Sequence, residues 1–155
     1  MAIEAKPRGV YQQRDGRYVA EFVSWAFPTD LKMFNVRLGP APLELRLRYP
    51  DLDVERWARV WAKTCDAIVI TPTALVLIEG ELRRPLLAIG ELLVYRDLIP
   101  QTTDLARYWR LPIRTTLLTP LPDPTLETVL EHLEIGVIQY RPIWVEEYLH
   151  QVQRL

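Results

Sequence analysis

Two apolar runs, Ala67–Thr71 and Ala74–Leu82, stand on either side of Pro72-Thr73. Both are rich in β-branched residues, and the proline breaks them apart, so they read as the strands of a hairpin. With the turn centred on Pro72-Thr73, Ile70 faces Leu75, and the same register sets Asp66 opposite Glu79. Side chains alternate along a strand, so Glu79 and Glu81 project from one face, and Asp66 shares its face with Ile68 and Ile70. Three carboxylates then crowd one end of an otherwise apolar hairpin. Like charges set opposite each other are destabilising, and desolvation at a sheet end adds to the cost. A hard divalent cation such as Mg²⁺, which prefers oxygen ligands, would remove that penalty. The alternative is a solvated strand end where Glu79 and Glu81 pair with Arg83, Arg84 or another arginine.

The surroundings of the hairpin are regular from Asp51 onward. Asp51 or Asp53 can cap a helix whose apolar stripe is Val54, Trp57, Ala58 and Trp61. After the hairpin, Leu86–Ile99 reads as a helix ending before Pro100, and Pro112–Thr119 reads as a strand. Asp123 or Pro124 opens a further helix with Leu126, Val129, Leu130 and Leu133 on one face, stopped by Gly136. Val137–Tyr140 reads as a short buried strand. Pro142 starts a last helix with Trp144, Val145, Tyr148, Leu149 and Val152 inward. The order helix, strand, strand, helix, strand, helix, strand, helix predicts an α/β fold with a mixed central sheet flanked by helices.

Residues 1–50 differ. Short strand-like alternations, Arg17–Phe22 and Leu43–Tyr49, are separated by loops holding Pro28, Gly39, Pro40 and Pro42, and Asp15-Gly16 suggests a turn. This predicts an irregular or β-rich N-terminal arm over 1–50 that packs on other protein subunits, and an α/β core over 51–155.

With 155 residues and a net charge of −1, the chain fits one domain and has no global basic field, so any contact with DNA would be local. Among its 19 basic residues only Lys6, Lys32 and Lys63 are lysine, and arginine suits phosphate and carboxylate forks. The single Cys65 excludes an internal disulfide and a cysteine-based zinc site, and it is expected to be buried. His132 and His150 are too few and too far apart for a histidine-rich metal site. No membrane span and no apolar signal core are found, so no membrane partner is expected, and a cytoplasmic location or an assembly formed there, a virion included, is.

An aspartate heading one strand, followed about a dozen residues later by an acid-x-acid triplet on the next, resembles the PD-(D/E)XK nuclease superfamily with its restriction-endonuclease-like core. The matching residues are Asp66 and Glu79-Gly80-Glu81, and the resemblance covers roughly Asp51 to Tyr140. The helix that follows carries Glu91 and Tyr95, similar to the Gln-x-x-x-Tyr helix of the recombination-exonuclease branch. The resemblance implies that Asp66 and Glu79 bind Mg²⁺, or Mn²⁺, with Glu81 standing where the family usually has lysine. It implies that Glu91 and Tyr95, one helical turn apart, flank the metal or the DNA backbone. Glu55 falls where some branches place a further metal-binding acid. With the lysine replaced, a cation must come from elsewhere, and Arg96, Arg83 and Lys63 are candidates. Arg83, Arg84 and Arg96 are the expected nucleic-acid contacts.

The function that follows is metal-dependent hydrolysis of DNA phosphodiesters, with cations held by Asp66, Glu79 and Glu81 activating water. The alternative is a structural or assembly protein of nuclease fold whose catalysis has lapsed, in the manner of a phage particle or head-completion component. A third reading is an unrelated α/β binding module with a solvated acidic edge. Trp57, Trp61, Trp144 and Trp109 are expected in the core, and Trp25, beside Phe27, is expected to dock on a partner. Arg107, Arg110 and Arg114 read as a solvated face. Glycine-rich phosphate loops and nucleophile elbows are absent.

Overall fold

A computed structural model describes residues 9–153 of the chain, so residues 1–8 of the expected arm and the last two residues lie outside the described part. At its centre β2 (Lys63–Ile70) and β3 (Leu75–Gly80) form the hairpin, with Ala67 opposite Ile78 and Ile70 opposite Leu75. The register is the one the turn demands. Thr71 closes it: its amide donates to the Ala74 carbonyl, and its hydroxyl oxygen accepts from the amides of Thr73 and Ala74.

Five strands make one sheet in the order β1-β2-β3-β4-β5. β1 (Leu31–Leu38) adds to β2 antiparallel, whereas β4 (Ile113–Thr119) and β5 (Ile135–Gln139) continue from β3 in parallel. β3 is buried along its whole length, which explains why its sequence is an almost unbroken apolar run ending in Glu79-Gly80. The fold is therefore α/β with a mixed sheet flanked by helices, as expected.

One face is covered by α4 (Pro85–Leu98), whose Ala88, Ile89, Leu92 and Tyr95 form a buried stripe against Ile68, Leu75, Leu77 and Leu117. Pro85 sits in the first turn, where its missing N–H costs nothing. The other face is covered by α1 (Gly9–Ala26) and α6 (Ile143–Gln153). Tyr18, Val19, Phe22 and Val23 of α1 and Val145, Tyr148 and Leu149 of α6 pack on Ala67, Val69, Val76 and Ile78. The Tyr18 hydroxyl donates to the Tyr140 carbonyl, and Glu21 accepts from the Tyr140 hydroxyl and the Trp144 indole at 2.7 and 2.9 Å.

The N-terminal segment departs from expectation. Arg17–Phe22 is helical, Asp15 and Gly16 lie inside α1 and form no turn, and Leu43–Arg48 belongs to α2 (Pro42–Arg48). The strand of this region is β1, in a stretch with no strong alternation. α1 is no detached arm: its apolar residues recur at helical spacing and complete a core layer. Elements after the hairpin fall within a few residues of their expected places. The exception is the link into β5, where Glu134 takes the left-handed turn (φ 56) and Gly136 lies within the strand. Val129 and Val137 are exposed, since α5 (Glu127–His132) is short and β5 is an edge strand.

Candidate functional site: an acidic cleft at the end of the hairpin

Past the last paired residues of the hairpin, Asp66 and Glu79 clasp each other's strands. The Asp66 amide donates to Glu79 Oε1 at 2.8 Å, and the Gly80 amide donates to Asp66 Oδ2 at 3.0 Å. Each carboxylate thus replaces a rung of the ladder and keeps its other oxygen out of those bonds. The two acids meet as the register requires. Glu81 follows on the same strand path. Its Oε1 accepts from the amides of Arg83 and Arg84, both at 2.8 Å, and so shapes the turn into α4.

Two residues that sequence reasoning missed join them. Gly80 faces α1 so closely that any Cβ there would overlap the Val19 side chain and press on Tyr18 Cδ1 at 3.3 Å. Only glycine admits this approach. It brings Asp15, one helical turn before Tyr18 and Val19, over the end of β3. Asn35 of β1 occupies the position opposite Asp66, between the pairs Phe34–Ala67 and Val36–Cys65, with a left-handed backbone (φ 51). Asparagine tolerates that conformation better than most residues.

The result is a cleft of about 420 Å³ lined by Asp15, Asn35, Thr64, Asp66, Glu79, Gly80, Glu81, Leu87 and Glu91. Five of these are carboxylic acids and none is basic. The electrostatics follow. Burial is the main force raising the pKa of Asp15, which is pushed up to about 7, with the charges of Glu81 and Asp66 adding to it. Burial likewise raises Glu79, with the Asp66 charge next; it raises Asp66 too, although the hydrogen bonds from Gly80 and Glu79 oppose the rise. Glu91 is raised by desolvation and by Asp66 and Glu81. These acids hold protons above their usual range first because burial disfavours their charged forms and then because their neighbours are mostly other acids; Arg14 eases the rise at Asp15 only in part.

A second cleft, about 410 Å³, shares the wall made by Asp15 and Glu81 and is lined by Arg14, Leu82, Arg83, Arg84 and Tyr148. The Arg14 guanidinium lies 4.5 Å above the Tyr148 ring, a cation–π contact. Acidic and basic clefts therefore stand side by side at the same end of the sheet.

Not every expected residue reaches the site. Tyr95 is buried beneath it in the α4 layer, its hydroxyl acidity suppressed by burial and then by Glu79 and Glu91. Glu55 lies on α3 (Val54–Trp61), exposed and paired with Arg46 at 3.1 Å, and it does not line the cleft. Asp15, on α1, lines the cleft where Glu55 does not. Arg96 is turned away, its Nη1 donating to the Leu133 carbonyl at 3.1 Å, and Lys63 donates to the Trp61 carbonyl at 3.2 Å. Neither supplies a cation to the acids. The signal for Asp15 was its place one turn ahead of an apolar pair, legible only once that segment is read as helix.

Among the described residues, no group of three or more His, Cys, Asp and Glu side chains is drawn together tightly enough to hold a metal ion. No helix among them is long and apolar enough to cross a membrane. Comparison of the chain with family models, with curated proteins and with solved structures finds no match.

Proposed function

We propose that this protein is a divergent nuclease of the PD-(D/E)XK kind, hydrolysing DNA phosphodiesters with a divalent cation held between Asp66 and Glu79. One observation carries the reading: five acids line one cleft that contains no basic side chain. Gathering and burying this many carboxyl groups, whose charged forms are penalised by desolvation and then by one another, is a standing cost to the fold unless a cation is the intended occupant. The donor chemistry suits Mg²⁺ or Mn²⁺, since every acidic donor is a hard oxygen. A protein-only cage of three donors is not required of magnesium, which takes one or two carboxylates and completes its shell with water and phosphate.

In that role Asp66 and Glu79 use the oxygens left free by their bonds to Gly80 and Asp66 amides. Bound there, a magnesium ion would supply Lewis acidity and a more acidic water. Arg14, Arg83 and Arg84, across the shared wall, hold and orient the phosphate. Asp15, its pKa pushed up to about 7, borders the cleft as an acid poised to accept or return a proton near neutrality, and Glu91 beside it is raised above the ordinary carboxyl range by burial and by Asp66 and Glu81.

The test uses linear and circular DNA with Mg²⁺ or Mn²⁺, beside a Glu79→Gln control. Cleavage is expected from the parent, and a loss of at least about 100-fold from the variant. DNA left intact by the parent in both metals sinks the reading.

A second reading has its own observation. Glu81, where the resemblance expects a lysine, has one oxygen committed to the amides of Arg83 and Arg84. A protein of this fold that binds a cation without cutting would serve in an assembly, as a phage-particle component does. Calorimetric Mg²⁺ binding lost in Glu79→Gln, intact DNA and a large species on a sizing column would together favour it.

A further inference from the structure

The connection between β1 and β2 is built unlike the rest of the surface. α2 and α3 rise from Leu38 and return at Lys63, the pair that closes the β1–β2 ladder. The stripe Val54, Trp57, Ala58, Trp61 was expected to face a core, but only Val54 is buried. Trp57 and Trp61 are each 39% exposed, and their rings lie stacked at 6.3 Å with 18° between planes. Val60 and Tyr49 beside them are exposed further.

Arginines interleave with these aromatics. Arg56 lies 5.2 Å over the Trp57 ring, and Arg48 and Arg59 are exposed close by in sequence. The acids of the segment are largely spoken for: Glu55 pairs with Arg46, Asp53 caps α3 through the Arg56 amide, and Glu44 accepts from Thr103. Among the described residues, Arg48, Arg56 and Arg59 form no ion pair. Asp51 is exposed as well, so the segment is balanced in charge, but exposed rings beside three guanidiniums free of ion pairs match a chain of stacked bases joined by phosphates. A purely apolar partner would be met by charges it could not satisfy.

We propose that this excursion binds single-stranded polynucleotide, Trp57 and Trp61 stacking on successive bases while Arg56, Arg59 and Arg48 take the backbone. Asp66 lies three residues along β2 from Lys63, roughly 10 Å at strand spacing. A strand seated on the tryptophans therefore enters beside the acidic cleft. As a statement about substrate this rests on the nuclease reading; as a binding site it stands without it.

The experiment measures binding of a labelled twenty-residue oligothymidylate, and of the matching oligouridylate, by fluorescence anisotropy in EDTA at low salt. Cleavage cannot contribute under these conditions, so failure here and failure of the nuclease assay are separate results. The parent is expected to bind at least one oligonucleotide with quenching of tryptophan emission. Trp57→Ala and Trp61→Ala should each weaken binding about tenfold, while Trp57→Tyr retains most of it. Arg59→Ala should reduce the dependence of log affinity on log salt by about 0.7. The proposal is overturned if neither oligonucleotide binds or if the alanine variants bind like the parent. It also falls if a duplex of equal length binds more tightly, or if the tryptophan changes alter only the protein's self-association on a sizing column.

Discussion

The two ends of the central hairpin share strands, register and neighbours, yet they are built on opposite terms. At the turn, Thr71 satisfies the backbone with neutral hydrogen bonds and no charged side chain takes part. At the open end, Asp66 and Glu79 do the same work with carboxylates, and Asp15, Glu81 and Glu91 are gathered round them. Neutral side chains would cap the open end as well. The fold therefore does not require the charge there. What the difference teaches is that stability has been given up at one end of an otherwise well-satisfied element, the usual mark of a site shaped for a ligand.

The comparison can be broken in several ways. The largest effect is expected from Gly80→Ala, where the added methyl has nowhere to go but into Val19. It should cost about 3 kcal/mol in denaturant unfolding, and a near-neutral result would mean that α1 does not clamp the acidic end. Next comes pH. Asp15 titrates near 3.8 when unfolded and at about 7 when folded, so its neutral form favours the fold. That contribution is full below about pH 4 and is lost as pH rises through about 7. Melting temperature of the metal-free protein should fall across that range, and Asp15→Asn should flatten the fall. Magnesium at ten times its dissociation constant should restore about 1.4 kcal/mol, roughly 4 °C, at pH 8, and Glu79→Gln should abolish that rise. The smallest effect belongs to the turn. Thr71→Val should cost about 1 kcal/mol, with no dependence on pH or magnesium.

The hairpin and its acids were legible because two local rules fix them together: the proline sets the turn, and strand alternation carries the register to Asp66 and Glu79. Glu81 followed from the same strand, whereas Glu91 came only from the resemblance of the next helix to a nuclease motif. The N-terminal third was not legible. Gly16 and the run Tyr18-Val19 weaken the local preference for helix, and α1 forms because Tyr18, Val19, Phe22 and Val23 have a sheet face to cover. Asp15 inherits its place from that packing, so no local pattern could announce it. Asn35 depends on a left-handed backbone that its neighbours in sequence do not dictate. Trp57 and Trp61 misled for the converse reason: the periodicity of α3 is real, but the helix sits beyond the sheet end with little to cover it.

The bond between the Tyr18 hydroxyl and the Tyr140 carbonyl spans 122 residues, and this separation has a consequence in time. During synthesis, at about 5–20 residues per second, α1 is made on the order of ten seconds before its partners around Tyr140 and Trp144 exist. Through that interval its apolar stripe has at most the hairpin strands, and not α6, to cover it. A nascent chain arrested between Gly80 and Tyr140 would have the hairpin with its paired acids, but the helix carrying Asp15 would lack half of its seat.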